Sequence, residues 1–117
     1  MQLKKTYKNV NPELLYDEVR DFFQKQGVIV DEARLETYSL PSDSSAHIVR
    51  GTLIFKTQGG VKCLQAHIVG LAIGETKVML DIDETLFPSE KSATAEADLD
   101  FIFGAYEVKP QAGNERK

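Results

Sequence analysis

The chain has one cysteine, no tryptophan and four prolines in 117 residues. A lone cysteine, Cys63, cannot staple a fold, so no disulfide framework is implied. No stretch approaches the ~18 consecutive apolar residues of a membrane span. The start, Met1-Gln2-Leu3-Lys4-Lys5, lacks the apolar segment of a signal peptide. These absences point to a reducing cytoplasm and away from a membrane. Basic residues are also in deficit: 14 Lys and Arg stand against 18 Asp and Glu, a net charge of −4. Binding to a phosphate backbone needs a basic stripe that displaces counterions. Lys4, Lys5 and Lys8 form the one basic cluster, so no nucleic-acid partner is expected. Gly59-Gly60 precedes a strand and not a helix, so it lacks the amide crown that anions require. Paired-cysteine ligand spacing and a nucleophile elbow are both missing. No metal and no cofactor are expected.

What the chain does have is enough apolar content for one core, 42% of its residues. The reading is a single domain over 1–108, followed by a polar tail, 109–117, expected to be disordered. Gln2 to Val10 reads as a short edge strand protected by lysines. Asn11-Pro12-Glu13 is a strong helix start: Asn accepts from free first-turn amides, and Pro at the first position loses no hydrogen bond. Leu15, Val19, Phe22 and Gln26 then share a stripe, widened by Leu14 and Phe23. Gly27 ends the helix. From Val28 the period becomes two, and strands are expected over Val28–Leu40, His47–Thr57, Val61–Ile73 and Thr76–Leu86. Pro41 to Ser45 is a loop by turn chemistry. The last helix starts at Pro88-Ser89-Glu90, with Ser89 as cap and Ala95, Leu99, Ile102, Phe103 and Tyr106 as its apolar stripe. The fold class is α+β, with an antiparallel, curved sheet of about five strands packed on helices.

Two glycine turns propose a register. A two-residue turn at Gly74-Glu75 pairs Ile73 with Thr76, Leu71 with Val78, Val69 with Leu80 and His67 with Ile82. A three-residue loop at Gln58-Gly59-Gly60, with a glycine bulge, pairs Thr57 with Val61, Phe55 with Cys63 and Val49 with Val69. The core face is then Val49, Leu53, Phe55, Val69, Leu71, Val78, Leu80 and Ile82. The other face carries Ile48, Ile54, Leu64, Ala66 and Ile68 among Arg50 and Lys56. That is more apolar than a solvated sheet face, so a cover is expected there.

Candidate chemistry is sparse. His67 reads first as a core histidine. Its sharper reading is a polar contact in a pocket, where Gln65, His67 and Glu84 converge on an apolar wall and Gly51 leaves space. His47 lies several rungs away from His67, too far to share a metal. Cys63 lacks a predictable base and reads as a buried structural thiol. Asp81, Asp83 and Glu84 read as a solvated strand face. No convergent acid, base or nucleophile set emerges, so the reading leans against an enzyme.

The order strand, helix, four strands, helix resembles the β-α-β4-α architecture of helix-grip (START or Bet v1-like) domains and of TATA-box-binding-protein-like domains. The likeness rests on element order over most of the chain. It carries no family motif, so no functional residue is transferred. The chain is shorter and has fewer strands than a full helix-grip domain, and it is acidic where nucleic-acid-binding relatives are not.

Two uses follow as expectations. The first is a non-catalytic module that binds a small hydrophobic ligand between the sheet and the C-terminal helix, with His67, Gln65, Gly51 and Glu84 in contact. The second is an assembly module that forms a homodimer through the apolar sheet face, at Ile48, Ile54, Leu64 and Ile68.

Overall fold

The computed structural model describes residues 1–40, 43–71 and 74–108. The expected tail and part of the expected loop at 41–45 lie outside them. Five strands and two helices follow in the expected order: β1 (Gln2–Lys8), α1 (Pro12–Lys25), β2 (Ile29–Leu40), β3 (Asp43–Lys56), β4 (Lys62–Leu71), β5 (Glu75–Ile82) and α2 (Ser89–Phe103), with a 3-10 turn at Gly104–Tyr106. All pairings are antiparallel, and the sheet order is β1-β5-β4-β3-β2. The protein is an α+β fold with an open five-stranded antiparallel sheet. β3 begins at Asp43, within the segment read as loop.

Helix α1 starts as its sequence predicts. Asn11 Oδ1 accepts from the Glu13 amide at 2.8 Å, and Pro12 occupies the first turn. Its buried face is Pro12, Leu15, Tyr16, Val19 and Phe23. Phe22 is only half-buried, and Leu14 is turned to solvent at 58% exposure. The helix is therefore rolled toward Tyr16 relative to the expected stripe. Helix α2 is capped at Pro88, with no side-chain hydrogen bond, and not at Ser89. It buries Ser92, Ala95, Leu99 and Phe103, while Ile102 and Tyr106 face outward.

The register departs from expectation at both glycine turns. The loop at Gln58–Gly60 has three residues at its base, where Thr57 N donates to Val61 O at 2.8 Å. Lys56 then pairs with Lys62, but Phe55 pairs with Leu64. Cys63 is the extra residue. Such a bulge turns every later side chain to the opposite face. Cys63 and Leu64 are consequently both buried. Beyond them Ala66, Ile68 and Gly70 face the helices, whereas Gln65, His67, Val69 and Leu71 face away. On the far side Gly70 pairs with Thr76, Ile68 with Val78 and Ala66 with Leu80, three residues away from the Leu71 and Val69 partners that a two-residue turn at Gly74-Glu75 requires, and this odd displacement brings the same side chains inward. Val69 and Leu71 thus leave the expected core face, and Leu64, Ala66 and Ile68 join it. Ile73 lies outside the described residues.

Both helices cover this one face. Phe23 meets Phe55 at 5.4 Å and Phe87 at 5.5 Å between ring centroids, and Tyr7 meets Phe103 at 5.7 Å. Each large apolar side chain buried this way contributes about 1.5–3 kcal/mol relative to exposure. One charge enters the layer. Lys5 Nζ lies 3.1 Å from Glu96, 3.4 Å from Asp100 and 3.3 Å from Glu107. Burial lowers its pKa, but the surrounding carboxylates outweigh that and hold it above the usual lysine range. Lys5 thereby ties β1 to α2 and to the turn after it. Among the described residues no helix is long and apolar enough to cross a membrane.

Candidate functional site

The space between sheet and α2 is filled. Val19, Phe22, Phe23, Leu80, Ala95, Asp98 and Leu99 enclose a cavity of about 10 Å³. That is about the room one water needs and far below a ligand site. Gly51 leaves no space either. The Tyr16 ring lies on it, and a Cβ at Gly51 would stand 2.5 Å from Tyr16 Cδ2.

Of the four expected ligand contacts, the fold brings only Gln65 and His67 together. They sit on the helix-free face of the sheet, because the Cys63 bulge sends them there. Gly51 faces the helices. Glu84 lies in the exposed loop after β5, 3.8 Å from the Met1 amino group. The four do not converge. Of the expected interface residues, Ile48 and Ile54 lie on the helix-free face and are half-buried, while Leu64 and Ile68 are 1% and 0% exposed within the core. Their misplacement has the same cause, the one-residue slip.

The helix-free face is ordered by register. In its middle row Thr52, His67 and Met79 stand side by side. One row away are Ile54, Gln65 and Asp81, and on the other side Arg50, Val69 and Lys77. Ile48 and Leu71 form the next row, flanked by Tyr38 of β2. Met79, the one apolar residue on the wet side of an otherwise alternating β5, was the sequence signal for this centre. Val69 and Leu71 belong to it but could not be assigned without the bulge.

A short polar relay crosses the face. Lys62 Nζ donates to Gln65 Oε1 at 2.7 Å, and Gln65 Nε2 donates to His67 Nε2 at 2.8 Å. The lysine can only donate, so it orients the amide, and the amide nitrogen in turn needs an acceptor. His67 therefore accepts at Nε2 and carries its proton on Nδ1. This arrangement fixes the ring but provides no nucleophile or second acid. A shallow depression of about 350 Å³ beside it is lined by Lys62, Gln65, Asp81 and Asp83 among others.

The remaining candidates are structural. His47 bonds Ser39 Oγ at 3.3 Å. It lies on the opposite face from His67. Asp83 is not part of a carboxylate cluster: its Oδ1 accepts from Thr85 N at 3.0 Å and Thr85 Oγ1 at 2.6 Å, which holds its pKa below the ordinary value. The Cys63 thiol is 2% exposed and points to Phe55 O at 3.7 Å. Burial, and then Asp83, pushes its pKa up. Among the described residues no group of three His, Cys, Asp or Glu side chains is placed to hold a metal ion.

Charge is divided between the two sides of the fold. Lys4, Lys8 and Lys77 stand on the helix-free face of β1 and β5. Arg34, Arg50, Lys56 and Lys62 stand on the same face of β2, β3 and β4. These are half of the chain's 14 basic residues. Glu32, Glu36, Glu75 and Asp81 share the face, and Asp31 in the β2 bulge reaches Lys56 at 3.5 Å. The helices carry the opposite excess. Glu13, Asp17, Glu18 and Asp21 of α1, with Glu90, Glu96, Asp98 and Asp100 of α2, outnumber Arg20, Lys25 and Lys91.

Compared with protein-family models, curated proteins and solved structures, the chain matches none.

Proposed function

We propose that the protein is a non-catalytic interaction module and that the helix-free sheet face is its working surface, for a protein partner that brings apolar side chains edged by carboxylates. One observation carries the reading. The face has a half-buried apolar centre, Ile48, Ile54, Val69, Leu71 and Met79, and among the described residues no helix covers it. An apolar centre with a polar, charged rim is the usual anatomy of a protein interface. The lysines and arginines on this face, in a chain that is acidic overall, favour an acidic partner and would speed its approach. The filled space under α2 gives a small hydrophobic ligand no comparable support.

A selection from a displayed random-peptide library against the immobilised protein tests this. Peptides with apolar residues flanked by Asp or Glu should be enriched. Their affinity should fall by about tenfold or more in Val69→Glu and in Arg50→Glu, and should hold in Lys91→Glu on the helix side. Arg50 is exposed, so its variant keeps the fold even if Val69→Glu does not. Absence of a consensus, or peptides indifferent to both sheet-face changes, would overturn the reading.

A further inference from the structure

Strand β2 forms one edge of the sheet, and among the described residues nothing pairs with its outer side. An open edge presents a row of free amides and carbonyls, a ready template for another strand. The other edge, β1, is protected in two ways. Lysines occupy it at Lys4, Lys5 and Lys8, and the chain after α2 returns to it: Val108 N donates to Thr6 O at 2.7 Å, and Glu107 bridges Tyr7. β2 has neither device. Ile29–Leu40 contains no lysine and no proline. Its register is interrupted only near its two ends, at Asp31 and after Ser39, so Glu32 to Ser39 runs unbroken. Its helix-side residue Leu35 is 41% exposed and its other-face residue Tyr38 is 47% exposed, so both sides of the strand await cover.

The sequence of this edge is complementary to itself. Glu32, Arg34, Glu36 and Tyr38 alternate along one face. The Arg34 guanidinium already bonds Glu32, and the Tyr38 hydroxyl lies beside Glu36. Arg34 and Glu36 flank Leu35. We propose that two copies of the chain pair antiparallel through β2, with the two-fold axis at Leu35. Arg34 of each copy then faces Glu36 of the other, Ala33 faces Thr37, and the two Leu35 side chains meet on the axis. Isologous pairing of this kind repeats every contact twice. Other registers are worse. An axis at Arg34 sets Arg34 against Arg34 and Glu32 against Glu36. An axis at Thr37 makes no ion pair. An axis at Ala33 draws the Asp31 bulge into the ladder opposite Leu35.

Residues that share a face in one copy share it in the dimer, because each even-numbered residue meets an even-numbered one. The two helix-free faces therefore join into one continuous surface. The edge is a different surface from that face, so the dimer stands or fails apart from the function proposed above.

Light scattering at about 100 µM, above the micromolar range of weak specific complexes, should report a dimer. Arg34→Glu should weaken it by about tenfold or more, because each copy then sets a new carboxylate against Glu36 of the other. Glu36→Arg should do the same. The double variant, which exchanges the two charges, should restore it. Leu35→Cys should form an interchain disulfide under mild oxidation, since directly opposed residues lie about 4.5–5.5 Å apart at Cα. Ala33→Cys alone should not, because it faces Thr37. A monomer at that concentration overturns the proposal. So does a dimer that ignores the charge reversals, or one in which the Leu35→Cys variant stays uncrosslinked, since either would place the contact on another surface.

Discussion

Tyr16 lays its ring across the bare backbone of Gly51, joining α1 to the middle of β3. A methyl group at Gly51 would stand 2.5 Å from Tyr16 Cδ2 and 3.0 Å from Cε2, closer than carbon atoms tolerate. Gly51→Ala should therefore lift α1 or push the ring off its rotamer, at a cost of about 1–3 kcal/mol. Urea denaturation reads this directly. Tyr16→Leu combined with Gly51→Ala should recover part of the loss, because a shorter side chain relieves the crowding.

Thr76 does a different kind of joining. It is 0% exposed, and its Oγ1 donates to the Val10 carbonyl at 2.7 Å, holding the approach to α1 against β5. Thr76→Val keeps the shape but removes the donor. The Val10 carbonyl is then buried without a partner, which costs about 1–3 kcal/mol. Thr76→Ser keeps the hydroxyl and should lose less. No loss in Thr76→Val, or a larger loss in Thr76→Ser, would assign the site's contribution to packing of the methyl instead.

These two contacts also show where sequence reading stops. Asn11-Pro12-Glu13 was legible as a helix start because capping is local chemistry. The alternation of Val78, Leu80 and Ile82 was legible because the intervening Lys77 and Asp81 leave one choice of face. β4 offered no such choice. Cys63, Val69 and Leu71 make one apolar set and Leu64, Ala66 and Ile68 another, so alternation cannot say which is inside. Turn geometry has to decide, and it misleads on both sides: a bulge two residues beyond the Gln58-Gly59-Gly60 loop and a three-residue displacement of β5 against β4 reverse the answer. In the sequence Gly51 stands only as empty space. The tyrosine that fills it comes from a helix far away in sequence, through packing that no local pattern encodes.

The Cys63 bulge predicts the behaviour of its thiol. The side chain is 2% exposed, and burial disfavours its thiolate. Reaction requires the thiolate and access to it. A disulfide reagent such as DTNB should therefore leave the native protein unmodified over the time in which it labels the urea-unfolded chain fully. Rapid native labelling would mean that the bulge opens, and hydrogen exchange at Leu64 and Gln65 should then be fast as well.

The helices meet at a pair of carboxyl groups, Glu18 of α1 and Asp98 of α2. Burial, and then hydrogen bonding to Asp98, pushes the Glu18 pKa up to about 7 from 4.5, with Lys25 opposing and Asp21 adding to the rise. Asp98 Oδ2 is buried without a hydrogen-bond partner, so this junction has little else to absorb a second negative charge. A carboxyl whose folded pKa is raised holds its proton longer in the native state than in the unfolded one. Between pH 4.5 and about 7 the native state binds more protons, so its stability falls as pH rises through that window. Glu18→Gln keeps a hydrogen-bond donor toward Asp98 and cannot ionise. Its stability relative to the wild type should be unchanged near pH 4, should grow through the window and should level off above it. Urea denaturation at a series of pH values checks this. Parallel curves for the two proteins would show that Glu18 ionises freely and that α1 and α2 meet without electrostatic strain.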